Sequence, residues 1–300
     1  MQVTLSGGTG FVGSRLADQL LPSGTRVHLL TRRLRPGLAT GVMPYLWDHN
    51  REEAPAESLS GSEAVIHLMG EPVAQRWSPE IKKRIRESRV SSSKNLVAAI
   101  ARAEPRPSTL ISASAIGFYG SRGDEWLDEE SAAGKGFLAD VCKEWEEEVV
   151  RAEELGVRVL RVRIGIVLGA TGGALSRMLP LFRAGIGGPL GSGAQWMSWI
   201  HVDDLVEMIL FGLRYPHIQG VWNGVSPNPV TNADFTRTLA RILKRPGILP
   251  APEFGLRMLF GEGSEALLAS QRVKPVAAEA AGFRFRYAGL HAALRHILRS

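Results

Sequence analysis

A chain that runs from Val3-Thr4-Leu5 into Ser-Gly-Gly-Thr-Gly-Phe-Val-Gly over residues 6–13 has few folds open to it. Gly7, Gly10 and Gly13 stand three apart, directly after an apolar run that reads as a strand. Behind them Val12, Leu16 and Leu20 recur at helical spacing. Strand, side-chain-free turn and helix in that order open a βαβ unit. Gly7 permits the tight turn, Gly10 lets a diphosphate approach the backbone, and Gly13 lets the helix pack closely. Free amides at the helix N-terminus, helped by its dipole, then hold the phosphates. Glycine triplets also occur in ordinary strand-to-helix turns, and the βαβ context is what makes this one a dinucleotide site.

The first half repeats that alternation. Val3–Ser6, Arg26–Thr31, Ala64–Met69, Thr109–Ser114 and Val157–Val162 read as strands rich in Val, Ile or Leu. Between them lie helical patterns, including Leu138, Val141, Cys142, Trp145 and Val149 as a core stripe. Ser78-Pro79 reads as N-cap and first helical residue of a long segment reaching about Ala103. The expected fold is α/β: a Rossmann-type doubly wound parallel sheet with helices on both faces, plus a smaller C-terminal substrate lobe. Residues 1–165 are expected to form the dinucleotide-binding part, to which about 200–225 return, and 166–300 the smaller lobe. After Gly165 the texture becomes rich in glycine and proline, as suits ligand-covering loops. Two later helices are expected, one near Asp203 to Arg214 and one from Thr231, where Asp234 three residues on makes a capping-box pattern.

The second strand ends at Leu29-Leu30-Thr31-Arg32-Arg33, where an NAD-preferring chain carries an acidic residue for the ribose 2′-hydroxyl. Here stand two arginines, whose planar, permanently charged forks suit a 2′-phosphate, so NADP(H) is the expected cofactor. The 36 Lys+Arg against 30 Asp+Glu leave a net charge of +6, scattered along the chain, which fits acidic small molecules better than nucleic acid. Cys142 is the only cysteine, so neither an intrachain disulfide nor a thiolate metal cluster can form. No apolar run approaches the roughly 20 residues that cross a bilayer, and Val3-Thr4-Leu5 has no leader pattern before it. The expectation is a cytoplasmic protein with a small-molecule substrate, no nucleic-acid or membrane partner, and a possible homodimer.

The glycine turn at 7–13, Gly70-Glu71-Pro72 after the Ala64–Met69 strand and Ser-Ala-Ser-Ala-Ile-Gly-Phe-Tyr-Gly at 112–120 carry a likeness to a known family. So do Arg76-Trp77, Ser88-Arg89-Val90, Trp145-Glu146, Arg163-Ile164-Gly165-Ile166-Val167-Leu168-Gly169, Trp199-Ile200-His201-Val202-Asp203-Asp204-Leu205, Asn223-Gly224-Val225-Ser226-Pro227 and Gln271-Arg272-Val273-Lys274-Pro275. Over nearly its whole length the chain resembles the extended short-chain dehydrogenases/reductases, NAD(P)-dependent epimerase/dehydratase-like. More narrowly, it resembles their "epimerase family protein" branch with its own C-terminal domain. The resemblance implies that Thr9, Gly10, Phe11 and Val12 meet the diphosphate, and that Thr31 and Arg32 meet the 2′-phosphate end. Leu68, Met69 and Gly70 would line the adenine and ribose, and Glu71 would begin the loop over the nicotinamide. Ser112, Ala113, Ser114 and Val167 would close the nicotinamide pocket. Arg89, on the long helix, would either reach the cofactor from below the sheet or be a surface residue.

Active members of that family use a tyrosine four residues before a lysine as acid/base, with a serine or threonine orienting the substrate oxygen. Aligning Trp145-Glu146 places Leu138 where the tyrosine belongs and Cys142 where the lysine belongs, with Lys143 about 100° around the helix. Ser114 remains as a hydrogen-bond donor to a substrate carbonyl. Tyr119 is the nearest phenol, either a catalytic group or a loop tyrosine with a solvated hydroxyl. Asp203 and Asp204 resemble an acid/base pair but read better as helix caps, and His201 beside them reads equally as pocket or core. His291 and His296, five apart, suit no metal site on one helical face. Two functions stay open: an NADP(H)-dependent oxidoreductase or nucleotide-sugar-epimerase-like enzyme of unknown substrate, and a non-catalytic NADP(H)-binding sensor.

Overall fold

The computed structural model describes residues 1–34 and 37–299. Its strands are β1 (Gln2–Ser6), β2 (Arg26–Thr31), β3 (Val42–Leu46), β4 (Ala64–His67), β5 (Thr109–Ala115), β6 (Trp126–Leu127) and β7 (Arg158–Ile164). They continue with β8 (Ile166–Leu168), β9 (Trp196–Met197), β10 (Trp199–His201), β11 (Gly220–Gly224), β12 (Val230–Thr231) and β13 (Arg272–Val273). Seven of them form one sheet in the order β11-β7-β5-β4-β1-β2-β3, and every pairing in it is parallel. The chain leaves β1 toward β2 on one side and returns to β4 on the other. That reversal is the switch point of a Rossmann-type, doubly wound sheet, where a crevice opens at the strands' carboxyl ends.

Alternation along the strands builds a core on each face. Val3, Leu5, Ile66, Ile111 and Leu160 pack with Leu16 and Leu20 of helix Phe11–Leu20 and with Leu205, Met208 and Ile209 of helix Val202–Arg214. Val65, Leu110 and Val159 face the opposite way, onto Leu96 and Ile100 of helix Val90–Arg102 and Trp145 and Val149 of helix Phe137–Val150. A third core, with Leu175, Phe182, Trp199, Phe235 and Leu294, packs together segments of the chain's later half. Among the described residues no helix is long and apolar enough to cross a membrane.

Several local expectations need correction. β3 lies at the sheet's edge, paired with β2 alone, which is why it can carry Pro44 without losing a ladder bond on its outer side. The segment expected as one helix from Ser78 to Ala103 is two, Pro79–Glu87 and Val90–Arg102. At the break the Ser88 hydroxyl accepts from the Glu71 amide at 2.9 Å, so the helix yields to a demand from the loop after β4. Ser78 does cap its helix, accepting from the Ile81 amide. Thr231 likewise caps the helix Asn232–Leu243 and donates to Asp234. Asp203 and Asp204 cap nothing: the cap of helix Val202–Arg214 is His201, whose Nδ1 accepts from the Asp203 amide at 3.0 Å. Asp203 instead binds Arg15, and Asp204 accepts from the amides of Arg286 and Tyr287.

Candidate functional site

At the switch point β1 ends in Ser6 and the chain turns through Gly7, held at φ +73°, where the Gly10 amide bonds the Gly7 carbonyl at 2.9 Å. A Cβ at Gly7 would lie 2.7 Å from the Leu68 carbonyl, and one at Gly13 would collide with the backbone of Gly7 and Gly8. Both must therefore be glycine for the turn to lie flat against β4 and the helix against the turn. A Cβ at Gly10 meets only the Gly7 oxygen, at 3.1 Å, so its outer side faces open space. Helix Phe11–Leu20 starts there with no side-chain cap and no acidic residue in its first turn. Its leading amides are thus available to an anion. Thr9 and Gly10 are exposed, Phe11 and Val12 half-buried. The Phe11 ring supports the loop 169–173, since a Cβ at Gly169 or Gly172 would run into it. Val167 leads into that loop from β8.

Beneath the turn, Ser6 Oγ and His67 Nδ1 lie 2.6 Å apart, and His67 Nε2 reaches Ser92 Oγ at 3.2 Å. Complete burial pushes the His67 imidazole down to about 3, so it is neutral. To one side, Thr31 donates to the Arg33 carbonyl at 3.0 Å, and Arg32 and Arg33 are exposed without an ion-pair partner among the described residues. On the other side Leu68 and Met69 are half-buried and Gly70 is exposed. Arg89 stands behind that loop: its Nη2 donates to the Glu71 carbonyl at 3.0 Å and its Nη1 to the Ile85 carbonyl at 3.1 Å. A Cβ at Gly70 would lie 2.9 Å from Nη2. Arg89 is therefore neither a surface residue nor free below the sheet; it buttresses the backbone at 70–71. Glu71 is held in turn by Arg84 at 2.9 Å.

Ser112, Ala113 and Ser114 lie near the end of β5, just before its last residue, Ala115, and all three are buried. The Ser114 hydroxyl donates to Glu146 Oε1 at 2.6 Å. Its single proton is thus engaged, and toward a ligand it presents lone pairs, which corrects the expected donor to a carbonyl. Arg163 clamps Glu146 bidentately, Nε to Oε1 at 2.8 Å and Nη2 to Oε2 at 2.9 Å. Its Nη1 donates to Tyr119 Oη at 3.0 Å, and Tyr119 donates onward to Asn223 Oδ1 at 2.8 Å. Tyr119 is fully buried and burial raises its pKa, so the expected solvated hydroxyl is a structural tyrosine tying β11 to the turn after β5. Glu146, Arg163 and Asn223 had drawn no role from sequence. The signal was there in Arg161-Val162-Arg163, since a charge on an interior strand requires a buried partner.

Leu138 and Cys142 lie one turn apart on helix Phe137–Val150, and both face the turn that follows Ser114. A Cβ on Gly117 would come within 3.5 Å of Leu138 Cβ and 3.7 Å of Cys142 Sγ. Burial pushes the Cys142 thiol up to about 12, so it supplies no thiolate. Lys143 points elsewhere, to Asp140 at 2.8 Å. Leu138 and Cys142 thus set no mobile proton near neutral pH against that turn.

The fold also brings together His201, Asp203 and His296, whose donor atoms lie within 4.8 Å of one another. His201 Nε2 meets His296 Nδ1 at 3.1 Å, and the ring stacks on Tyr287 at 4.1 Å between centres. Because Nδ1 of His201 accepts an amide proton, the neutral ring carries its hydrogen on Nε2, the nitrogen a metal would need, while Arg15 occupies the Asp203 carboxylate. The cluster is thus a packed hydrogen-bonded pair, and burial pushes His201 down to about 4.

The model of the NAD dependent epimerase/dehydratase family matches residues 3–223, and that of a domain of unknown function, DUF1731, matches residues 251–297. An epimerase family protein SDR39U1 homologue of Arabidopsis thaliana, named as chloroplastic, is 44% identical over 99% of this chain and 87% of its own. The epimerase family protein YfhF of Bacillus subtilis is 36% identical over 99% of this chain and 98% of its own. The crystal structure of the human epimerase family protein SDR39U1 with NADPH superposes with a TM-score of 0.90 at 33% identity, covering 100% of both chains.

Proposed function

Because this chain belongs to the NAD dependent epimerase/dehydratase family, we propose that it binds NADP(H) at the crevice between β1 and β4. There it acts as an oxidoreductase or epimerase-like enzyme on a small molecule seated against the loops after Gly165. The observation that carries this is the cradle at Gly7, Gly10 and Gly13, which side chains would fill and which opens on uncapped helix amides. Arg32 and Arg33, with no carboxylate at the end of β2, favour the phosphorylated coenzyme, and the NADPH in the human relative's crystal supports the same choice.

Bound there, the nicotinamide supplies a hydride acceptor or donor. Ser114 would then offer a lone pair to a substrate hydroxyl, take up its proton at Oγ and pass its own proton to Glu146 along their 2.6 Å hydrogen bond. Arg163 and the Glu71 loop fix the floor and cover of the site. The substrate is a small molecule; nucleic acid and membrane have no part in this reading, and a homodimer in the cytoplasm, where a lone buried thiol stays reduced, completes it.

Titration calorimetry with NADPH and NADH tests the cofactor: tight NADPH uptake is expected, and uptake of neither coenzyme refutes the proposal. Leu138 and Cys142 facing the turn after Ser114 favour a second reading, a protein that binds NADP(H) without turning it over and reports cofactor state. Tight NADPH binding with no oxidation across a panel of carbonyl and nucleotide-sugar substrates selects that reading.

A further inference from the structure

Beyond the turn after Ser114 stands a stack of flat groups. Arg272 of β13 lies between two indoles, its guanidinium carbon 3.9 Å from the Trp126 ring centre and 4.0 Å from that of Trp196. Lys274 Nζ sits 4.1 Å from the Trp126 ring centre. The parallel register of β6 and β13 sets Arg272 beside Trp126 and Val273 beside Leu127. Alternation sends Leu127 and Val273 into a small core with Ile116 and Tyr119 and leaves Trp126, Arg272 and Lys274 on the other face. Through the preceding residue, Gln271, the stack is tied to the carboxyl end of β5, the strand that carries Ser114. Gln271 donates to the carbonyls of Ile116 at 2.8 Å and Gly120 at 3.1 Å, the two ends of the turn that follows Ser114.

A guanidinium in a structural stack normally bonds through its edge to a carboxylate or carbonyl. This one bonds to nothing among the described residues, and its Nε is buried without a partner. Lys274 has no acidic partner among them either. The carboxylate alongside, Asp124, accepts from Trp196 Nε1 at 2.7 Å and forms no ion pair with Arg272. Two cations thus share the indoles with no anion between them. The rings flank the guanidinium, which leaves its unbonded Nη groups to meet a dianion.

We propose that Trp126, Trp196, Arg272 and Lys274 form a subsite for the phosphoryl group of a phosphorylated substrate whose reacting end lies at Ser114. This rests on the enzyme reading above for its role in a reaction, though not for the binding itself. Two cations match the two charges of a phosphate ester, and the guanidinium edge engages two of its oxygens at once.

The probe is methyl phosphate, a dianion well above its second pKa of about 6, titrated calorimetrically into NADPH-saturated protein so that the glycine cradle is blocked. Saturable binding is expected, weakened about tenfold to a hundredfold in Arg272→Gln, which keeps a flat polar group between the rings but removes the charge. Lys274→Gln, an exposed change, gives a smaller loss of the same sign. NADPH affinity stays unchanged in both, and both remain folded by circular dichroism. Succinate tests whether any dianion serves, and is expected to bind at least tenfold more weakly than methyl phosphate. Equal methyl phosphate affinity in wild type and both variants, no saturable uptake, or succinate binding as well as methyl phosphate each overturns the proposal. Failure of NADPH itself to bind strikes the cofactor assignment instead, and the difference between wild type and Arg272→Gln still reads the stack alone.

Discussion

Replacing Arg163 with methionine strips Glu146 of two charge-assisted bonds, at 2.8 and 2.9 Å, and Tyr119 of one at 3.0 Å, at a site where both charged side chains are about 95% buried. A buried ion whose partner is removed costs about 3–5 kcal/mol. Ser114 still donates to Oε1, and Arg161 Nη1 lies 3.5 Å from Oε2, so the lower end of that range, about 3 kcal/mol, is expected. Adding Glu146→Gln to the methionine variant removes the stranded charge and keeps an acceptor for Ser114. The double variant is therefore expected to recover about 2 kcal/mol over Arg163→Met alone. Urea denaturation followed by tryptophan fluorescence measures each free energy at constant slope. A loss below about 1 kcal/mol for Arg163→Met, the scale of an exposed pair, refutes the picture of a desolvated clamp. So does a double variant whose loss is the sum of the single ones.

Arg32→Asp is expected to weaken NADPH binding by about tenfold to a hundredfold, one charge-assisted contact, while NADH binding changes little; equal losses would show that Arg32 does not read the 2′-phosphate. Gly10→Val places a branched side chain in the open space over the turn and abolishes binding of both coenzymes by calorimetry, with the fold retained by circular dichroism; undiminished affinity would move the diphosphate elsewhere. His67 is held at about 3 in the fold against an ordinary 6.5, so the unfolded chain takes up a proton first as pH falls. The stability tied to its neutral form is complete above pH 6.5 and disappears toward pH 3, with a slope of about 1.4 kcal/mol per pH unit in between. Unfolding free energies of His67→Asn measured over that window should lack this slope, and identical pH profiles would deny the depression.

The glycine turn, β1, β2 and β5 were legible because each is a local pattern: an apolar run, a bend that only glycine tolerates, an amphipathic stripe. β3 escaped because an edge strand needs one good face only, and Val42–Leu46 carries Pro44 and exposed Met43 and Leu46. The helix break at Ser88 answers to the Glu71 amide, 17 residues away, which no local propensity encodes. Leu138 and Cys142 lie one turn apart on the helix Phe137–Val150, as their spacing in the sequence implied, since a helix carries register faithfully from one end to the other. His201 and His296 are brought together across 95 residues, and Tyr119 is buried by Asn223 from 104 residues away. Contacts of that kind arise only after sheet and lobe have packed.

The ring of Phe11 touches bare backbone where Gly169 and Gly172 cross it. The fit between ring and loop is consequently set by atomic radii, a benzene face against two stretches of peptide backbone beside the phosphate cradle. A single methyl group added at either crossing would force ring and loop apart, so steric bulk at three positions, Phe11, Gly169 and Gly172, fixes how closely that loop lies against the start of the phosphate-facing helix.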